Sequence, residues 1–124
     1  MTSSPIVAGI SRDLVAFYSD HFGREPTTAK TFWWEGIVVC LLEGVFSGYE
    51  QVLVDAGGLG QVQANRTILR SMFEPLLREI VEQATGAQVV ACLGDVSAAG
   101  SATEVFLLEP SAPEAGGGRS ARPA

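Results

Sequence analysis

Residues 27–43, TTAKTFWWEGIVVCLLE, decide the fold class. β-Branched and aromatic side chains crowd both halves: Thr27, Thr28, Thr31, Phe32, Trp33 and Trp34 precede Glu35-Gly36, and Ile37, Val38 and Val39 follow it. Such residues fit a pleated, half-buried surface. A two-residue connection with glycine in second place suits a tight hairpin turn, so the stretch reads strand, turn, strand, with the positive φ expected at Gly36. On the first strand Lys30, Phe32 and Trp34 share one face and Ala29, Thr31 and Trp33 the other. The second strand is apolar on both sides, as a central strand would be. With one tryptophan on each face, neither side is bare to water without cost. Helices must cover one face, and a partner part of the other.

Working outward, Ile10, Leu14, Phe17, Tyr18 and Phe22 form a stripe on one helical face before the hairpin, with Arg12, Asp13, Ser19 and Asp20 on the other side. Ser11 is the expected N-cap and Gly23 the expected stop, and residues 1–9 are expected to be flexible. After the hairpin, Ser47 and Glu50 have capping-box spacing for a short helix ending at Gly57-Gly58. From Gln61 to Gly86 the apolar residues, among them Val62, Leu69, Phe73, Leu77, Ile80 and Val81, keep helical spacing. Pro75 within that run predicts a kink or break near Glu74, because it lacks the N–H that would bond to Ser71. Two further strands, Gln88 to Val96 and Thr103 to Glu109, flank the small-residue loop 97–101, which reads as a second hairpin. Residues 110–124 carry no apolar period and are expected to be a disordered Gly/Ala/Pro tail.

Helix, hairpin, two helices, hairpin is the order of an α+β two-layer sandwich. It has a four-stranded, mostly antiparallel sheet covered by an N-terminal helix and a long Pro-interrupted helix. The chain of 124 residues, 47% hydrophobic, is one domain over residues 10–109 with enough core to fold without disulfides or metals.

The formal net charge is −6, with one Lys and seven Arg, two of which (Arg119 and Arg122) lie in the tail. No basic face is left to neutralise a phosphate backbone, so nucleic acid is not an expected partner. The longest run of apolar and glycine residues, Gly36 to Leu42, falls far short of the ~20 needed to span a bilayer, so direct membrane insertion is excluded. The start has neither a positive n-region nor an apolar h-region, which points to the cytoplasm and to reduced thiols at Cys40 and Cys92. The two cysteines stand far apart with no CxxC, and the chain has one histidine, His21. No metal site and no cofactor are expected.

Little in the chain promises catalysis. Ser, Cys or Thr nucleophiles need a base in reach, and His21 falls in the last turn of the first helix, where it favours the helix dipole. Gly57-Gly58-Leu59-Gly60 precedes a helix but matches neither phosphate-binding glycine pattern and has no lysine after it. Glu35 and Glu43 lie at opposite ends of one strand, about 26 Å apart at ~3.3 Å per residue. Arg24, Arg66 and Arg70 are the cations able to hold an anion or to pair with Glu43 and Glu50.

Gly23-Arg24-Glu25-Pro26 after an amphipathic helix, Glu43-Gly44-Val45-Phe46 followed by Glu50 and Leu53, Arg66 opening a helix interrupted at Pro75, Thr85-Gly86-Ala87-Gln88-Val89, Asp95 and Val105-Phe106-Leu107-Leu108 together resemble the MpsC-like family. The chain departs from the family pattern at Glu25, where Gly is common, and at Phe46, where Leu is. The resemblance implies a small soluble domain associated with a sodium-translocating, membrane-potential-generating system linked to inorganic-carbon use. It implies no catalytic residues.

The leading expectation is therefore a noncatalytic accessory or regulatory domain acting through protein contacts, as a homodimer and through an integral membrane transport partner. The ligand or interface candidates are Gly23, Arg24, Pro26, Trp33, Trp34, Glu43, Gly44, Glu50, Arg66 and Asp95. The alternative is a small-anion sensor in which Arg24 and Arg66 hold the ligand near the Gly23–Pro26 corner. An uncharacterised enzyme comes third.

Overall fold

The computed structural model describes residues 4–110; residues 1–3 and 111–124, and with them the expected tail, lie outside the described residues. Helix α1 (Pro5–Phe22) starts earlier than its apolar stripe suggests. Ser4 is the N-cap, its hydroxyl accepting from the Val7 N–H, and Pro5 holds the first turn, where its missing N–H costs nothing. The expected N-cap, Ser11, sits inside the helix and instead shares a 2.7 Å hydrogen bond with the Thr31 hydroxyl. Gly23 closes α1 at φ 83, the left-handed conformation that glycine adopts without strain.

Strands β1 (Thr28–Trp34) and β2 (Ile37–Glu43) form the expected hairpin. Its turn departs from the expectation: Glu35 carries the left-handed backbone, φ 56, and Gly36 does not. The Trp33 indole N–H donates to the Glu35 carbonyl at 3.1 Å and the Leu108 N–H to the Gly36 carbonyl at 2.8 Å, so the turn is held from both sides.

Helix α2 (Gly48–Asp55) has the full capping box. The Glu50 N–H donates to the Ser47 hydroxyl, and the Ser47 N–H to the Glu50 carboxylate. Helix α3 (Leu59–Thr85) runs 27 residues without a break. Pro75 sits inside it on an exposed position. The one backbone bond lost there is outweighed by burial on the opposite side, where Val62, Leu77 and Val81 are sealed from water. Strands β3 (Val89–Val96) and β4 (Ala102–Leu108) follow as the second hairpin, with a bulge between Val89 and Ala91.

The sheet order is β1-β2-β4-β3, antiparallel throughout. The two central strands are thus one from each hairpin. α1 packs over β1, α3 over β3, and the two helices touch each other. The covered face presents Val38, Cys40 and Leu42 from β2 and Ala102, Glu104, Phe106 and Leu108 from β4, all buried. Against them pack Ile10, Leu14, Phe17, Tyr18 and Phe22 of α1 and Val62, Leu77 and Val81 of α3. The other face of the sheet carries no element of the described chain.

Candidate functional site

Two polar clusters and the uncovered sheet face are the features beyond the core. The first cluster stands where the ends of α1 and β2 meet α2 and α3. Capping α2 places the Glu50 carboxylate toward α3, and there Arg66 grips it with two bonds of 2.7 Å while a third, of 2.6 Å, goes to the Val45 carbonyl. Arg66 is only 6% exposed, and its guanidinium lies 4.3 Å from the centroid of the Phe22 ring. Arg24, just past Gly23, donates to the Phe46 carbonyl at 3.2 Å. Gly44 takes φ 66 against Thr27, whose side-chain atoms lie 2.8 Å from where a Cβ would stand. Burial alone would raise the Glu50 carboxyl; the bonds from Arg66 and Ser47 outweigh it and hold the group below its ordinary value.

The second cluster lies beside it, inside the core. Glu104 is fully buried on the helix-covered face of β4. The Arg70 Nε of α3 reaches both of its oxygens, at 2.9 and 3.1 Å, and Nη2 closes a further bond to Oε1. The Tyr18 hydroxyl donates to the other oxygen at 2.6 Å, and Arg70 Nη2 also lies 3.3 Å from the Cys92 sulfur. Burial, then the Glu104 charge, raises the Tyr18 hydroxyl above its ordinary 10.0. Burial would lower the Arg70 guanidinium, but its bonds to Glu104 prevail and raise it. Gly94 of β3 leaves the room this pair needs: a Cβ there would stand 2.5 Å from Arg70 Nε. The gap among Tyr18, Arg66, Arg70 and Glu104 measures about 20 Å³, space for about one water. A larger open hollow, about 640 Å³, lies between α1 and α3 and is lined by Ile6, Gly9, Ala16, Leu76 and Ile80 among others.

The structure thus brings Gly23, Arg24, Gly44, Glu50 and Arg66 of the sequence candidates to one corner, with Pro26 buried nearby in sequence. It sets the others apart. Glu43 ends β2, where the Ser101 hydroxyl donates to it at 2.5 Å, and Asp95 is at the far edge of the sheet, accepting from the Val96 N–H. Trp33 packs against the core, whereas Trp34 is 67% exposed. The Glu104 cluster was the feature the sequence reading missed. Its signal was present, since Glu104 stands in register with Ala102, Phe106 and Leu108 on the apolar side of an alternating strand.

None of these groups is arranged for nucleophilic attack. The His21 Nδ1 lies 3.0 Å from the Phe17 carbonyl and its ring stacks on Phe17. Burial pushes the Cys40 thiol up to about 11 and also raises Cys92, the opposite of an activated thiolate. Among the described residues no group of three or more His, Cys, Asp and Glu could hold a metal ion, and no helix is long and apolar enough to cross a membrane.

The uncovered face is the third feature. Strand register lays it out in rows: Trp34–Ile37–Leu107–Ala91, then Phe32–Val39–Val105–Leu93, then Lys30–Leu41–Thr103–Asp95. Trp34, Ile37, Leu41 and Leu93 are 67, 44, 39 and 57% exposed. Apolar groups fill the first two rows; charge enters at the two ends of the third and at Glu43 in the row beyond it, Thr28–Glu43, where the Ser101 hydroxyl donates to the carboxylate.

Among known proteins, no curated sequence and no solved structure matches the chain. One family model does, over residues 2–110, and it is described as the Na+-translocating membrane potential-generating system (MpsC). That match takes in every helix and strand described above, and the chain belongs to the MpsC family.

Proposed function

We propose that this chain is a noncatalytic accessory domain of a Na+-translocating, membrane-potential-generating system, acting through protein contacts. The observation that carries the reading is the uncovered sheet face, a contiguous surface of Trp34, Phe32, Ile37, Val39, Val105, Leu107 and Leu93 that gains by being covered. The polar clusters support it from the other side. Arg66, Arg70, Glu50 and Glu104 spend their bonds on one another, on Tyr18, Ser47 and Cys92 and on the backbone, so they act as fasteners between elements. The small-anion alternative is left with Arg24 alone at its corner, because Arg66 already holds Glu50 and the Val45 carbonyl.

The test is complementation in cells whose Na+-dependent membrane potential, followed with a voltage-sensitive dye, requires this protein. A chain carrying Cys40→Ala, Cys92→Ala and His21→Gln is expected to restore the potential fully. Leu93→Asp, an exposed position on the open face, is expected to abolish restoration while leaving the circular dichroism spectrum unchanged. Loss of function in the natively folded triple variant would overturn the noncatalytic reading, and full function in Leu93→Asp would overturn the contact reading.

A further inference from the structure

We infer that the uncovered sheet face is occupied by a second copy of this chain, the two sheets stacked about a twofold axis that runs parallel to the strands between β2 and β4. The inference rests on the proposal that this face works by protein contact, and names the partner. Three observations carry it: the size of the face, the pairing its rows dictate, and the positions of Lys30 and Asp95 at opposite ends of one row, with Glu43 in the row beyond.

Four strands of seven or eight residues, at ~4.8 Å between strands and ~3.3 Å per residue, give a face of roughly 450 Å² in projection. Two such faces bury about 900 Å² in projection and more once side-chain relief is counted, near the ~1,000 Å² at which specific interfaces begin. That is enough for a self-association in the micromolar range, with the two sheets aligned to within about 30° as in a sandwich.

A twofold axis parallel to the strands carries each strand to the opposite side at the same height, so β1 of one copy faces β3 of its partner and β2 faces β4. Row by row, the largest side chain, Trp34, then lies over the small Ala91, Ile37 over Leu107, Phe32 over Leu93 and Val39 over Val105. In the third row Lys30, at one edge, lies over Asp95, at the other, and symmetry makes that pair twice. Lys30 and Asp95 are both exposed, and Asp95 has one carboxylate oxygen on the Val96 N–H, leaving its second oxygen for the partner. An axis across the strands would instead set Lys30 over Trp34 and Asp95 over Ala91, burying charge against apolar groups. The charges select the first arrangement.

The experiment is sedimentation equilibrium on the full chain from about 1 µM to 1 mM, a range that brackets a micromolar dissociation constant. The wild type is expected to be dimeric at the upper end. Lys30→Glu and Asp95→Lys are each expected to weaken the dimer by about tenfold, by placing like charges opposite one another, and the double variant to return to within about threefold of wild type. Leu93→Asp is expected to give a monomer with an unchanged circular dichroism spectrum. A wild type monomeric at 1 mM, a dimer indifferent to Leu93→Asp, or a double variant no better than the singles would each overturn the arrangement. A monomeric wild type in which Leu93→Asp still abolishes the membrane potential overturns self-association alone and leaves the docking proposal standing. A dimer whose loss leaves the potential intact overturns the docking proposal alone.

Discussion

Arg70 of α3 holds Glu104 of β4 in an ion pair inside the protein, and Tyr18 of α1 donates to the same carboxylate from the other side. The Glu104 side chain is 1% exposed and that of Arg70 14%. Three elements distant in sequence are thereby fixed at one point, and each partner removed leaves a charge or a donor without its mate in a site with room for about one water.

Arg70→Met is therefore expected to lower unfolding stability by about 3–5 kcal/mol in urea titrations, the usual loss when one member of a buried pair goes. Replacing both, Arg70→Met with Glu104→Leu, is expected to regain most of that, because no charge then remains to be desolvated. Tyr18→Phe removes one bond to a charged acceptor and is expected to cost about 1.5–3 kcal/mol. A loss under about 1 kcal/mol for Arg70→Met would contradict the burial of the pair.

Gly94 is expected to be intolerant of alanine for the same reason. The new Cβ would stand 2.5 Å from Arg70 Nε and 2.8 Å from Glu104 Oε1, and the pair would have to part. Overpacking of this kind costs about 1–3 kcal/mol. In the Arg70→Met, Glu104→Leu background the same substitution should cost measurably less; equal costs in both backgrounds would show that Gly94 matters for another reason.

The first hairpin turn offers the opposite sign. Glu35 has φ 56, where a side chain strains the backbone by about 1–2 kcal/mol. Glu35→Gly is expected to raise the melting temperature, with a gain of about 1 kcal/mol after glycine's extra chain entropy is charged against it. Gly36→Ala is expected to be nearly neutral, since its Cβ would meet the Leu108 carbonyl at an ordinary 3.6 Å. A destabilised Glu35→Gly with a strongly destabilised Gly36→Ala would return the special backbone angle to the glycine.

Stability should fall toward both ends of the pH range. Glu50 titrates below its ordinary 4.5 in the folded chain, so the stability it contributes is present above that value and is lost as pH falls through the lower folded value. Glu50→Gln is expected to flatten the acid limb. At the alkaline end, burial raises Cys40 from 9.0 to about 11. Its contribution is full below 9 and disappears as pH rises through 11, and Cys40→Ala is expected to flatten that limb. Denaturant titrations at pH values from 3 to 11 check both; limbs unchanged by the two substitutions would reassign the titrating groups.

Much of the architecture was legible in the chain because its cues are local. The alternation around Glu35-Gly36, the capping box of Ser47 and Glu50, and the apolar stripe of Ile10, Leu14, Phe17 and Phe22 each act within a few residues. The misreadings were also local, and each had a competing cue. Pro5 with Ser4 marked the true start of α1, but Ser11 stood nearer to the stripe. Pro75 reads as a break in isolation, whereas burial of Val62, Leu77 and Val81 holds the helix through it. At the candidate corner, Arg24, Glu50 and Arg66 were identifiable as polar residues in need of partners, but their mutual arrangement was not.

By itself, then, the sequence determined the elements, the two hairpins, and which residues of each strand share a face, because period and turn chemistry are properties of neighbouring residues. The tertiary structure alone decided the order β1-β2-β4-β3, the meeting of Arg70 and Glu104 across 34 residues and of Tyr18 and Glu104 across 86, and which sheet face stays open. Those outcomes depend on how whole faces bury one another. The free energy of that burial is shared among residues far apart along the chain, and no local pattern records it.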